Sequence, residues 1–160
     1  WEDRLDAQLS ALLMSIPAIK AVEVGDGVSN AARPGSQVHD EIRFDEGRGI
    51  YRSTNRAGGI EGGMSNGEPI WARAYMKPIP TLYKPLISVN TAVWAEEKAD
   101  IERSDICAVP AASVVGEAML AFGVARAFLN QMGGDFIEQV ETNYAAYREY
   151  LGKVWKWRKI

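Results

Sequence analysis

Arg103 and Asp105 stand two residues apart in Arg103-Ser104-Asp105-Ile106-Cys107-Ala108-Val109-Pro110, just ahead of a long apolar stretch. A helix start presents unpaired N–H groups and positive partial charge, so it stabilises anions. An arginine there can fork onto a phosphate or a carboxylate. Two upstream segments could complete such a site. Asn55-Arg56-Ala57-Gly58-Gly59-Ile60-Glu61-Gly62-Gly63 offers a backbone cradle, and Lys77-Pro78-Ile79-Pro80-Thr81 supplies a second cation. Together these segments point to a phosphorylated, anionic ligand. The glycine segment is a poor P-loop, because it lacks the Gly-Lys-Ser/Thr ending and a following helix. Gly58, Gly59, Gly62, Gly63 and Gly67 mark either plain flexibility or backbone that needs φ > 0, and the sequence leaves both readings open.

The elements that must position these residues follow from periodicity. Asp3 to Ser15 reads as a helix with Leu5, Leu9, Leu12 and Leu13 on one face, ended by Pro17. Ile19 to Val24 alternates as a strand, closed by a turn at Gly25-Asp26-Gly27. Residues 28–49 read as loop, with a short strand at Ile50 to Ser53. Glu68 to Ile79 is the clearest strand. Ile70, Ala72, Ala74 and Met76 share one face, while Trp71, Arg73, Tyr75 and Lys77 share the other. That second face is either solvated or a surface for a planar anionic ligand. Leu86 to Val89 suggests another strand, and Ala92 to Ile101 is ambiguous.

Pro110 suits the first turn of a helix running to about Met132, with an apolar stripe of Val114, Val115, Ala118, Met119, Phe122 and Leu129. Ala112, Gly116 and Gly123 are small enough to admit a neighbouring element. Gly133-Gly134 stops this helix. Asp135 with Glu138 reads as a capping pair for a last helix, whose core stripe is Ile137, Val140, Tyr144, Tyr147 and Leu151.

Composition sets limits. With 160 residues, 47% apolar and 24% charged, and a net charge of -3, the chain is an ordinary globular domain with no basic surplus for nucleic acid. One cysteine, Cys107, permits no intrachain disulfide; it is expected to be a buried structural thiol in a reducing, cytoplasmic setting. His39 is expected on a surface loop, since a metal site needs several ligands and no second His or Cys cluster accompanies it. The run Ala108 to Leu129 contains Glu117 and Arg126, which favours a packed helix over a membrane span. The basic, aromatic end from Lys153 to Ile160 reads as a solvated tail, and no signal peptide is visible. The chain opens at Trp1 on a helix pattern already in progress, so a fragment of a longer protein is expected.

Several motifs in order carry a family resemblance. Arg103 to Ala112 with Glu117-Ala118-Met119 resembles the C-terminal signature of chorismate synthase. The likeness extends over Met14-Ser15-Ile16-Pro17-Ala18-Ile19-Lys20-Ala21-Val22-Glu23-Val24-Gly25-Asp26-Gly27, through Asn55 to Pro69, and through Lys77 to Pro85. The resemblance implies an α+β fold, part of a β-α-β sandwich of antiparallel sheets and helices, and a homotetramer in the full-length protein. It implies a lyase that converts 5-enolpyruvylshikimate 3-phosphate to chorismate by anti 1,4-elimination of phosphate, within the shikimate pathway of aromatic amino-acid biosynthesis. Reduced FMN is the implied cofactor, with NADPH as the associated reductant, although no net redox change occurs.

By the same resemblance, Ala18, Gly62, Lys77, Pro78, Ile79, Pro80, Thr81 and Arg103 match flavin-binding positions. Asp105 matches an aspartate implicated in handling a proton near the flavin, and Arg103 could neutralise anions as phosphate leaves. Pro80 stands where serine is common, which removes a hydroxyl and an N–H donor. Residues 1–160 are expected to be the C-terminal part of the family chain. The two acid histidines of the N-terminal part are absent, and His39 matches neither, so the fragment alone is expected to be inactive. Its apolar surfaces on 110–132 and 68–79 are expected to face the missing half. The alternative reading is a non-catalytic flavin- or phosphate-binding oligomerisation module.

Overall fold

The computed structural model describes residues 1–103 and 106–156. In chain order the elements are α1 (Leu5–Met14), β1 (Ile19–Val24), the short α2 (Gly27–Asn30), β2 (Ile42–Asp45), β3 (Gly49–Arg52), β4 (Ile60–Glu61), β5 (Met64–Ser65), β6 (Ala72–Met76), β7 (Ile87–Asn90), β8 (Ala95–Lys98), α3 (Val109–Met132) and α4 (Ile137–Val154). All strand pairs are antiparallel: β1 with β6, β2 with β3, β4 with β5, and β7 with β8. The class is α+β, as expected. The stretch 28–49 is more structured than loop, since it holds the end of α2, a 3-10 turn over Gly35–Gln37 and β2. The ambiguous segment after Ala92 resolves as β8, the second arm of a hairpin with β7. Strand β6 is shorter than expected. Pro78 has no N–H to extend the ladder, so pairing stops at Met76, while the end before it is held by the Trp71 N–H donating to the Gly58 carbonyl.

The core forms where α1 lies between β1–β6 and α3. Leu5, Leu9 and Leu13, spaced by four, bury one face of α1. Leu13, Ile16 and Ile19 pack with Ala72, Met76 and Met119, whereas Leu5 and Leu9 pack with Ile60, Leu120 and Val124. The face of α3 that meets α1 is therefore built on Gly116, Leu120, Gly123 and Val124. Of the expected stripe, Met119 joins this packing, but Val114, Val115, Phe122 and Leu129 are exposed. The physical reason is close approach. A Cβ on Gly123 would lie 2.5 Å from Leu9 Cδ2, so the helices meet along the small residues and the larger side chains splay to either side. Among the described residues α3 is also the helix long and apolar enough to cross a membrane by length and composition alone.

Three other expectations are corrected. Helix α4 begins at Ile137 with Phe136 as its N-cap and no side-chain cap; the Asp135 N–H instead donates to Gln139 Oε1. Of the α4 stripe only Val140 is buried, while Ile137, Tyr144 and Tyr147 are exposed because α4 touches the rest of the fold mainly through α3. Cys107 is exposed, since it sits in the open segment before α3 and not within a packed element. Gly133, at φ +65°, does end α3, and its N–H donates to the Leu129 carbonyl.

Candidate functional site

The glycine segment adopts backbone conformations that need φ > 0, which decides between its two readings. Gly58, Gly59, Gly62 and Gly63 all have φ between +61° and +83°. The Asn55 side chain spans the loop, accepting from the Gly59 N–H and donating to the Pro69 carbonyl, and its own carbonyl accepts from Trp71 Nε1. Asp40 clamps the entry to the loop. Its buried carboxylate accepts from the Thr54 hydroxyl at 2.5 Å, the Arg56 N–H at 2.9 Å and the Ala57 N–H at 2.9 Å. Asp40 escaped the sequence reading because it acts through backbone amides sixteen and seventeen residues later, a link that leaves no periodic signal.

Burial works against the charge on Asp40, yet the three donors outweigh it and hold its carboxyl below the usual range. A lowered native pKa gives stability that is present above the unfolded-state value, about 4, and lost as pH falls through the native value. Glu61, beside Arg52, is shifted the same way. We therefore expect urea midpoints to fall with acidification below about pH 4. Asp40→Asn should be less stable than the parent at neutral pH and show a flatter acid limb; an acid limb as steep as the parent's would count against the clamp.

The mixed face of β6 is committed to its own chain. Tyr75 donates its hydroxyl hydrogen to Glu23, which also accepts from the Val28 N–H. Arg73 donates to the Gly25 carbonyl at 3.1 Å, pairs with Glu23 and Asp26, and lies 4.5 Å over the Trp71 ring. The Tyr75 hydrogen bond, then the Val28 N–H, holds the Glu23 carboxyl below its ordinary range. Three of the four side chains on that face are thus engaged, and Lys77 stands exposed beyond them.

Two expected site segments come together. Ala18 adopts φ +69°, unusual for a residue with a side chain. In that conformation its carbonyl accepts the Lys77 N–H at 2.9 Å. The register slips between Ile19 and Ala21, a bulge that lets β1 start from this strained residue. Ala18 is therefore the neighbour of Lys77, the residue from which the segment continues through Pro78, Ile79, Pro80 and Thr81. Ile19 and Met76, next to Ala18 and Lys77 in sequence, line an apolar groove of about 960 Å3 together with Ile16, Ala74 and, from α3, Ala112 and Gly116. Arg103 is exposed a few residues before α3, whose first residue, Val109, also lines this groove. Asp105 lies outside the described residues.

Gly62 is not brought to this end. It lies at the β4–β5 turn, and the carbonyl of its neighbour Gly63 accepts the Leu5 N–H at the start of α1. Ala18 follows the other end of that helix, whose ten residues span about 15 Å. Gly62 has open space where a Cβ would be, so its backbone can be approached closely by another group.

A family model described as Chorismate synthase matches residues 1–129. The chain belongs to the chorismate synthase family. It is 68% identical over 160 residues to the chorismate synthase of Syntrophomonas wolfei, covering 100% of this chain and 40% of the relative. It is 54% identical over 158 residues to that of Geobacter metallireducens, covering 94% of this chain and 40% of the relative. A solved chorismate synthase crystal structure superposes with a TM-score of 0.76 at 46% identity, over 94% of this chain and 38% of that one. The chain thus spans about 40% of the length of the curated relatives it matches. Every candidate site residue, from Ala18 to Asp105, falls inside the region the family model matches, whereas α4 lies beyond it.

Proposed function

We propose that this chain is the C-terminal part of a chorismate synthase acting in the cytoplasm, and that the whole protein eliminates phosphate from 5-enolpyruvylshikimate 3-phosphate in the shikimate pathway. The observation that carries this reading is the family match over residues 1–129, which takes in all the candidate positions. In the reaction the C–O bond to phosphate breaks and a ring proton leaves, giving chorismate and inorganic phosphate. When bound, reduced FMN supplies the electron-rich ring that the elimination requires without net oxidation.

The residues present suit such a group. The Lys77 backbone is tied to the Ala18 turn and its side chain is exposed, while the flanking Ile19 and Met76 line the apolar groove. A flavin joins a flat apolar ring to a phosphate, so one end favours the groove and the other an ammonium. Lys77 and Arg103 would hold anionic groups of cofactor or substrate, Ala18 and Pro78 through Thr81 would shape the walls, and Gly62 would admit close backbone approach. Pro80 offers no hydroxyl or N–H, so Lys77 carries more of the anion binding. Asp105 would hold or relay a proton, and Arg103 would offset charge on the departing phosphate. The full-length protein would be a homotetramer, and the exposed valines and Phe122 of α3 are the surface on which the rest of the protein would lie.

The test is phosphate release and chorismate formation by the full-length protein with reduced FMN. Turnover should require the flavin, and this chain alone should give none. Lys77→Ala in the full-length protein should weaken flavin binding about tenfold or more in a fluorescence titration. Turnover without flavin, or parent-like flavin affinity in both Lys77→Ala and Arg103→Ala, would overturn the reading.

A further inference from the structure

A second cavity, about 490 Å3, opens between the loop after α2 and the strand end that leads into the glycine segment. Its lining residues are rich in hydrogen-bond donors: Arg33 and Arg56 carry guanidinium groups, Ser36 and Ser53 hydroxyls, and His39 an imidazole. None of the candidate flavin positions contributes to it.

The charges around it do not cancel within the chain. Glu41 also lines the cavity, but its carboxylate is paired with Arg43. The Asp40 oxygens are taken by the Thr54 hydroxyl and two backbone amides. Arg56 donates to the Thr54 hydroxyl at 3.3 Å, and its charge also favours the ionised Asp40 carboxylate, with no direct ion pair between them. Arg33, Ser36, Ser53 and His39 make no side-chain hydrogen bond among the described residues. Two arginines and several residues with unengaged donor groups therefore line one hollow, and the carboxylates of Glu41 and Asp40 beside it already have partners.

We propose that this cavity binds a phosphate-type oxyanion, either free phosphate or a phosphate monoester, held between Arg33 and Arg56. A tetrahedral dianion matches the site in two ways. It presents several acceptor oxygens to donors arriving from two loops, and guanidinium forks onto it with charge-assisted bonds that a carboxylate of single charge meets less fully. The backbone already holds one half of the site in place. Asp40 fixes Thr54 and the Arg56 amide, while Ser53 is tied by its N–H to the Glu41 carbonyl at 3.1 Å. The Arg33 loop supplies the other half, so the bound anion bridges the 33–39 turn to the entry of the glycine segment. This inference stands apart from the flavin reading and survives if that reading fails.

Isothermal titration calorimetry of this chain with inorganic phosphate, glycerol 3-phosphate and acetate tests it, with circular dichroism to confirm the fold of each variant. Phosphate or the monoester should bind saturably in the millimolar range or tighter, and whichever binds more tightly identifies the source. Arg33→Ala, at an exposed side chain with no described partner, should weaken binding about tenfold. Arg56→Ala should do the same, and Lys20→Ala, on the exposed edge of β1, should not. Three results would each overturn the proposal: no saturable heat with either phosphate compound, acetate binding as tightly as phosphate, or parent-like affinity in a folded Arg33→Ala.

Discussion

Gly58→Ala should destabilise this chain by roughly 3 kcal/mol or more, enough to unfold a marginal domain. Two costs combine. Gly58 sits at φ +68°, which any L side chain resists. Its added Cβ would also lie 2.5 Å from the Gly25 nitrogen and 2.8 Å from the Trp71 carbonyl oxygen. Those are backbone atoms of β1's turn and of the approach to β6, so neither can swing aside as a side-chain tip could. The contact is mutual, because a Cβ on Gly25 would lie 2.3 Å from the Arg56 carbonyl oxygen. Gly62→Ala is the matched comparison. Its φ is +61°, nearly the same, but nothing lies within 4 Å of the new Cβ, so only the conformational term remains, about 1 kcal/mol. Urea unfolding of the two variants separates backbone strain from backbone contact. If Gly58→Ala and Gly62→Ala lost equal stability, the close approach of the glycine segment to the β1 turn would be wrong.

Leu9→Ala carries the other large effect. Leu9 is 1% exposed and fills the contact between α1 and α3. Truncating a fully buried leucine costs roughly 3–5 kcal/mol, the range depending on how far the hole collapses. Collapse is limited here by Ile60 on one side and Leu120 and Val124 on the other. Gly123 makes the prediction sharper. A Cβ there would meet Leu9 Cδ2 at 2.5 Å and Leu12 Cδ1 at 2.7 Å, so Gly123→Ala in the parent overpacks the joint by about 1–3 kcal/mol. In the Leu9→Ala background half of that crowding is gone, and the same alanine fills part of the cavity. The double variant should therefore be more stable than the two single losses predict, with a coupling on the order of 1 kcal/mol. Strict additivity would mean that the two helices do not meet at this pair.

Local sequence determined a good part of this molecule. The strand Ile19–Val24, the helices α1 and α3, the stop at Gly133 and the value of Gly116 and Gly123 as points of close approach all follow from periods and residue types that act within a few positions. The joined motifs also placed the chain in its family, because their order along the chain carries that information. Tertiary structure decided what those elements do to one another. The exposed and packed sides of α3 look alike in composition, and only the arrival of α1 on the glycines settles which is which. The clamp by Asp40, the Glu23–Tyr75 bond across 52 residues and the Lys77–Ala18 contact join positions that no local period relates. Such links form when the chain closes long loops, so their energy is read from the assembled backbone and not from any window of the sequence.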